Sequence, residues 1–167
     1  MTAESKSKCI DVEWLGRADC SKCAIKQKVL FSPIPDEAFS DLLTPIDHYI
    51  YQKKVPLYEF GQEGEYLYTV RRGLIKLYQF LPSGDLRVVR LLKPGDIAGL
   101  ELLVNHKYHH SAMTTHETDL CRIPVKIIRQ LEKKYPALFE KLINMWQHTL
   151  DGADLFITKF STGTSQV

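Results

Sequence analysis

The chain lacks a charge excess. It has 22 lysines and arginines against 20 aspartates and glutamates, a formal net charge of +2 over 167 residues. A segment that bound nucleic acid by itself would carry more positive charge to neutralise phosphates, so direct reading of DNA by this segment is not expected. Long apolar runs are missing too. No stretch approaches the ~18 apolar residues of a membrane helix, and the opening MTAESKSK has no apolar core of a secretory signal. The expectation is a cytoplasmic protein without a membrane partner. Internal repeats and low-complexity tracts are absent. So are a phosphate loop, a nucleophile–base–carboxylate pattern and a metallohydrolase motif, so no enzyme is expected. Cysteine is scarce, four residues in all, which in such a compartment points to reduced thiols or metal ligands rather than a disulfide framework.

Three textures follow one another along the chain. Residues 1–35 read as an irregular arm with one short helix, because Ile10, Val12, Trp14 and Leu15 are scattered between cysteines. PDEAFSDLL then offers a helix entrance at Pro35 and Asp36, with Phe39, Leu42 and Leu43 at helical spacing. From His48 to Pro124 short runs rich in Tyr, Val, Leu and Ile are cut by turn signals (EFGQEGE, RRGL, LPSGD, KPGD, NHKYHH), and LYQFLPSGDLRVV reads as a hairpin bent at Ser83, Gly84 and Asp85. Strands so short and so often turned argue for a closed all-β roll over residues 36–135 rather than a parallel sheet. After Pro124 the pattern is helical. Pro136 ends a first helix near Tyr135 and opens a second over residues 136–162. In that second helix Ile143, Trp146, Leu150, Ala153 and Ile157 recur at steps of three and four, a coiled-coil-type seam without charge, widened by Phe139, Leu142, Phe156 and Phe160. This is expected to be a dimerisation helix of a parallel homodimer; packing of the whole apolar surface on the roll is the alternative. The fold class is therefore mainly β with a C-terminal α segment.

The stretch ADCSKCAIKQKVLF places Cys20 and Cys23 in a CxxC pair on a polar segment, with Lys22 and Lys26 close enough to favour a thiolate. Such a pair serves as metal ligands, as a reversible disulfide or as ordinary small residues. Cys121, on an apolar strand, is a ligand or plain core. Tetrahedral zinc would use the same thiolates, although neither a second CxxC nor an HxxxH accompanies the first. NHKYHH sets His106, His109 and His110 on a loop or strand start, either as a solvated loop or as a source of an axial ligand for haem. Tyr66, Tyr68 and Tyr78 are read as core or cross-strand packing.

The stretch FGQEGEYLYTVRRGLIKLYQFLPSGDLRVVRLLKPGDIAG, followed by TDLCRIPVKIIRQL, resembles the sensor domain of the bacterial Crp/Fnr transcription regulators. The matching parts are Gly61, Tyr68, Gly73, the Pro94-Gly95-Asp96 turn, Gly99 and the long helix after Pro136. The resemblance implies a double-stranded β-helix, or jelly roll, followed by a dimerisation helix. It also implies a winged helix-turn-helix further along the full regulator, which is not in this chain and through which DNA would be read. Cyclic-nucleotide binders of the family carry Gly-Glu-Leu after the PGD turn and then Arg-Ser-Ala. Here those positions read Gly99, Leu100, Glu101 and His110, Ser111, Ala112. The phosphate's bidentate cation is missing and the carboxylate is displaced by one residue, so this degenerate effector pocket is not expected to take a cyclic nucleotide. The resemblance is closest to the oxygen-sensing Fnr branch, whose [4Fe-4S] cluster is held by C-x2-C-x5-C near the N-terminus and one distant cysteine. Cys20 and Cys23 match the first two, Cys121 matches the distant one, and Val29 stands at the third. Cys9 is the residue that would complete four thiolates. The resulting expectation is an oxygen or redox sensor with an Fe–S cluster on Cys9, Cys20, Cys23 and Cys121. The alternative is a haem-bound gas or another small effector inside the roll, with the cysteines incidental and no cofactor on them.

Overall fold

Strands form where aromatic and β-branched residues alternate between glycine, proline and aspartate turns, and the bends fall where those residues stand. The structure is a computed structural model that describes residues 11–160 except 41, 43 and 44, with Phe156 and Phe160 described by backbone alone. Among the described residues nine strands run in the order β1 (Val12–Arg17), β2 (Asp47–Tyr51), β3 (Pro56–Tyr58), β4 (Tyr66–Arg72), β5 (Ile75–Phe80), β6 (Leu86–Leu92), β7 (Ile97–Ala98), β8 (Ser111–Thr114) and β9 (Thr118–Pro124). They make two antiparallel sheets, β1-β2-β9-β4-β7 and β3-β8-β5-β6, the double-stranded roll. Helices α1 (Val125–Lys134) and α2 (Pro136–Phe160) follow. The break between them lies at Tyr135, whose amide still donates to the Leu131 carbonyl while Pro136 starts the new helix.

Two apolar cores share the first sheet as a wall. Tyr51, Tyr58, Tyr68, Val70, Ile75, Leu77, Leu102, Tyr108, Ala112 and Leu120 fill the roll. On the other side Leu30, Phe31 and Ile34 of the arm, Leu67 and Ile123 of the sheet, and Ile127, Ile128, Leu131, Leu138 and Leu142 of the helices form a second core. The period-two alternation of a strand divides neighbouring residues between them. Leu67 goes to the helix side and Tyr68 to the roll; Leu120 goes to the roll and Ile123 to the helix side.

Two expectations change. Residues Val12–Arg17, expected within an irregular arm, are a strand paired antiparallel with β2, with a bulge between Trp14 and Gly16 and a hydrogen bond of 3.1 Å from Trp14 Nε1 to Asp47 Oδ1. A free sheet edge there would leave the outer backbone groups of β2 unpaired, and β1 pairs them. The helix expected from Pro35 is a single 3₁₀ turn, Asp36–Phe39, closed by the Ser40 amide on the Glu37 carbonyl. Leu43 lies outside the described residues.

The β4–β5 connection depends on Gly73, which has a φ of +100°, and a Cβ there would meet Thr118 Oγ1 at 2.6 Å and the Glu117 carbonyl oxygen at 2.8 Å. Gly84, in the β5–β6 bend, has a φ of +89° but open space around it. Both positions penalise a side chain through the backbone, and only Gly73 adds a collision with main chain. Gly73→Ala is expected to lower the unfolding free energy by about 2–4 kcal/mol and Gly84→Ala by about 1 kcal/mol. Urea titration of the two variants measures the difference; equal midpoints would refute the packing contribution at Gly73.

Candidate functional site

The positions that resemble an effector pocket are occupied by groups with other duties. Gly99 precedes a 3₁₀ turn, Leu100–Leu103, in which Leu100 turns into the helix-side core. Glu101 Oε1 accepts the amide of His109 at 3.1 Å, and Ser111 Oγ accepts the amide of Phe60 at 2.9 Å. His110 is half-buried, and burial lowers its pKa against the opposing pull of Glu101. Aromatic rings fill the interior beside them. Tyr58 and Tyr108 stack with centroids 3.6 Å apart, and the Tyr108 hydroxyl donates to the Tyr66 carbonyl at 2.6 Å. Burial pushes the hydroxyls of Tyr58, Tyr68 and Tyr108 well above the usual tyrosine range, so all three stay protonated. Tyr68 and Tyr78 are buried, as packing residues should be, while Tyr66 and Tyr49 flank the Arg122 guanidinium at 4.4 and 4.8 Å. His106 and His109 stay on the exposed loop before β8.

Helix α2 divides along its length. Leu138 and Leu142 are buried in the helix-side core, with Met145 and Trp146 partly packed on it. Of the five seam residues, Trp146 thus contributes to its own domain, whereas Ile143 is 44%, Leu150 59% and Ile157 60% exposed and Ala153 is exposed as well.

Cys20 and Cys121 meet on the outer, helix-side face of the first sheet. Cys20 opens a 3₁₀ turn, Cys20–Lys22, capped by the Asp19 carboxylate on the Ser21 amide, and the Cys23 amide turns back toward the Cys20 carbonyl at 3.5 Å. The CxxC spacing therefore folds as one tight turn. Cys121 sits mid-strand on β9, directly opposite His48 on β2 and Thr69 on β4. Cys20 and Cys121 both pack against the helix-side core. Cys20, Cys23 and Cys121 are free thiols, and the charge of each of Cys20 and Cys23 acts on Cys121. Burial pushes the Cys20 thiol up to about 11 and that of Cys121 up to about 12, with Arg71 pulling both the other way. The lysines expected to favour a thiolate are outweighed. Lys22 pairs with Asp19 at 3.5 Å, and Lys26, which also pulls Cys20 down, pairs with Asp36.

Arg71 belongs to a charged group that spacing alone does not reveal. A bulge in β4 between Val70 and Arg72 turns Arg71 toward β9. Its Nη1 lies 2.8 and 3.0 Å from the ring nitrogens of His48 and 3.7 Å from Asp119 Oδ1, while His48 Nε2 bonds Asp119. Val29, at the third position of the cluster pattern, is buried. Cys9 lies outside the described residues. Among the described residues no three His, Cys, Asp or Glu side chains are arranged around a point where a metal ion would sit. No helix among them is long and apolar enough to cross a membrane.

Comparisons with known proteins agree with this architecture. The model of the cyclic nucleotide-binding domain matches residues 50–135. The chain is similar to the regulatory protein HlyX of Actinobacillus pleuropneumoniae, 26% identical over 136 residues, covering 78% of this chain and 55% of that protein. It is similar in the same degree to the fumarate and nitrate reduction regulatory protein of Vibrio cholerae, 26% identical over 138 residues, covering 80% of this chain and 54% of that one. The chain thus spans about half the length of the curated relatives it matches. Among solved structures, the catabolite activator protein of Thermus thermophilus superposes with a TM-score of 0.64 at 25% identity, over 79% of this chain and 62% of that one. A cyclic nucleotide-binding domain from Methylobacillus flagellatus has the same fold, with a TM-score of 0.66 at 17% identity over 94% and 92% of the two chains.

The buried thiols have a measurable signature. Raising a thiol from its ordinary 9.0 to about 11 cuts its thiolate fraction at neutral pH about 100-fold, and only the thiolate alkylates. Cys20 and Cys121 are therefore expected to react with iodoacetamide far more slowly than an unhindered peptide cysteine at pH 7.5, and to accelerate up to pH 11. Peptide mass mapping along a pH series reads the rates; alkylation at the ordinary peptide rate at pH 7.5 would contradict the burial.

Proposed function

From the premise that this chain belongs to the cyclic nucleotide-binding domain family, in its Crp/Fnr regulator branch, we propose that it senses oxygen or redox state through Cys20, Cys23 and Cys121, with Cys9 as fourth thiolate to a [4Fe-4S] cluster. The family is one of transcription regulators rather than enzymes. The observation that carries the reading is the approach of cysteines far apart in sequence: Cys20 and Cys121 pack against the same helix-side core, and the charges of Cys20, Cys23 and Arg71 all act on Cys121.

The donor set suits such a group by its chemistry: soft sulfur ligands, protonated by burial, that release protons when a metal centre supplies compensating charge. Arg71 offsets part of the negative charge that four thiolates bring. When bound, a cluster would supply the oxygen-sensitive redox centre. The chain's own contribution is contiguity. Cys20 and Cys121 pack on the same core that receives Leu138, Leu142, Met145 and Trp146 from α2, so a change in how the arm seats is felt by the helix through close-packed side chains. Two such helices would pair through Ile143, Trp146, Leu150, Ala153 and Ile157, and a helix-turn-helix beyond this segment would read DNA. A cyclic nucleotide is not the effector in this reading, because Leu100 turns away into a core and His110 offers no fixed cation.

Anaerobic reconstitution with iron and sulfide should load the chain to stoichiometry, with colour that bleaches in air, and Cys20→Ser or Cys121→Ser should abolish loading. A protein that stays colourless and iron-free would overturn the cluster reading; loading unchanged by Cys9→Ser would remove Cys9 alone from the ligand set. Separately, Leu150→Glu places a charge in the seam and should convert a dimer to a monomer in sedimentation at micromolar concentration. Dimers of unchanged affinity would place the interface elsewhere.

A further inference from the structure

A row of directly paired residues crosses the outer face of the first sheet. His48 on β2 stands opposite Cys121 on β9, Cys121 opposite Thr69 on β4, and Thr69 opposite Ile97 on β7. Directly paired residues project from the same face of a sheet, with Cβ atoms about 4.5–5.5 Å apart. Leu67, two residues before Thr69 on β4, belongs to the helix-side core, as does Ile97, and Cys121 packs against it. Thr69 therefore stands on the helix side between a thiol and an isoleucine.

Its hydroxyl is incomplete there. Thr69 is only 4% exposed, and among the described residues its Oγ1 has no hydrogen-bond partner. The buried threonines elsewhere in the roll are satisfied: Thr114 Oγ1 donates to the Gln52 carbonyl at 2.6 Å and Thr118 Oγ1 to the His116 carbonyl at 2.9 Å. A buried hydroxyl without a partner is costly and native structures leave few, so this one calls for a cause. Of the two side chains paired with Thr69, Ile97 offers nothing polar and Cys121 offers sulfur. A neutral thiol is a weak acceptor, whereas sulfur that carries negative charge is a strong one. On the far side of Cys121, His48 is already held by Asp119 and Arg71. Of the two polar neighbours of the thiol in the row, Thr69 is the one with a donor to spare.

We propose that Thr69 is a positioning residue for the sulfur of Cys121: its hydroxyl donates a hydrogen bond to that sulfur once a metal centre holds it as thiolate, and so sets how tightly the centre is bound and how readily it oxidises. The proposal rests on Cys121 being a metal ligand, as read above. Hydrogen bonds to ligand sulfurs draw off electron density and raise the reduction potential of an iron–sulfur centre, which makes it harder to oxidise. Arg71 acts on the same thiol through charge alone, and Thr69 adds a directed contact from the adjacent strand. Thr69 holds no metal itself, so the ligand set is unchanged. The unloaded chain carries the cost of an unsatisfied hydroxyl, and binding of the centre relieves it.

Two variants of the whole chain test this, Thr69→Val, which keeps the shape and deletes the donor, and Thr69→Ser, which keeps the donor. Unloaded Thr69→Val should melt at or above the parent temperature, because an unpaired hydroxyl has been removed. After anaerobic loading with iron and sulfide it should show a more negative reduction potential and bleach in air about fivefold faster, with Thr69→Ser close to the parent. Titration of the metal-free chain with cadmium ion alone, read by its thiolate charge-transfer band, should show affinity weakened about fivefold in Thr69→Val. A parent that binds cadmium with this dependence on Thr69 but takes up no iron and sulfide would sink the cluster and leave the donor role standing. Parental potential and bleaching in loaded Thr69→Val, unchanged cadmium affinity, or a clear loss of melting temperature in unloaded Thr69→Val would each overturn the donor role, the last by showing that the fold itself uses the hydroxyl. A parent that binds neither iron nor cadmium would overturn it as well, since Cys121 would then be no ligand.

Discussion

Strand β9 is paired along both edges, to β2 on one side and β4 on the other, and it packs side chains against both of its faces. Most of what this domain does with its residues follows from that double commitment. Leu120 and Arg122 are fixed toward the roll, and Asp119, Cys121 and Ile123 toward the arm and helices, because adjacent residues of a strand cannot share a face. A slip of one register would carry the thiol into the aromatic interior and Leu120 out among charges, so both cores hold the register in place.

The same wall explains how charged groups are tolerated so near two apolar cores. Asp119, His48 and Arg71 satisfy one another on the outer face, and Asp47 joins Arg122 at 3.5 Å on the inner one, with the rings of Tyr49 and Tyr66 close to the guanidinium. Charges taken partly out of water keep their cost low only in such company. The thiols have no comparable compensation. Arg71 reaches them, but desolvation outweighs it, and sulfur held neutral in this way is slow toward electrophiles and oxidants while staying available to a cation that displaces its proton.

Much of the architecture was legible from local signals. Pro136 marks the break between the helices, Ser83 to Asp85 bend the β5–β6 hairpin, and the strand-rich span closes as a roll because turn chemistry is written in short stretches of sequence. The three cysteines within the described residues could also be singled out, by spacing and resemblance. What escaped depends on non-local register. Nothing near Val12–Arg17 announces that β2 needs an edge partner thirty residues away. Arg71 reaches β9 only because a bulge re-aims it, and His48 and Asp119 become neighbours only once β2 and β9 pair. Arg90 is the instructive case. Across the bulge after Leu77 it pairs with Leu77 and shares the inner face with buried Leu92, a placement that only the β5–β6 register fixes.

The Tyr58–Tyr108 pair has a consequence of another kind. Two phenol rings 3.6 Å apart and within 6° of parallel are held in a chiral cage, so their electronic transitions couple and the roll interior acquires its own near-ultraviolet dichroism. The two tryptophans lie elsewhere, Trp14 exposed on β1 and Trp146 on α2, and absorb at longer wavelength. Only tryptophan contributes at the long-wavelength edge of that spectrum, so a change confined to shorter wavelengths follows the tyrosines rather than the arm or the helix.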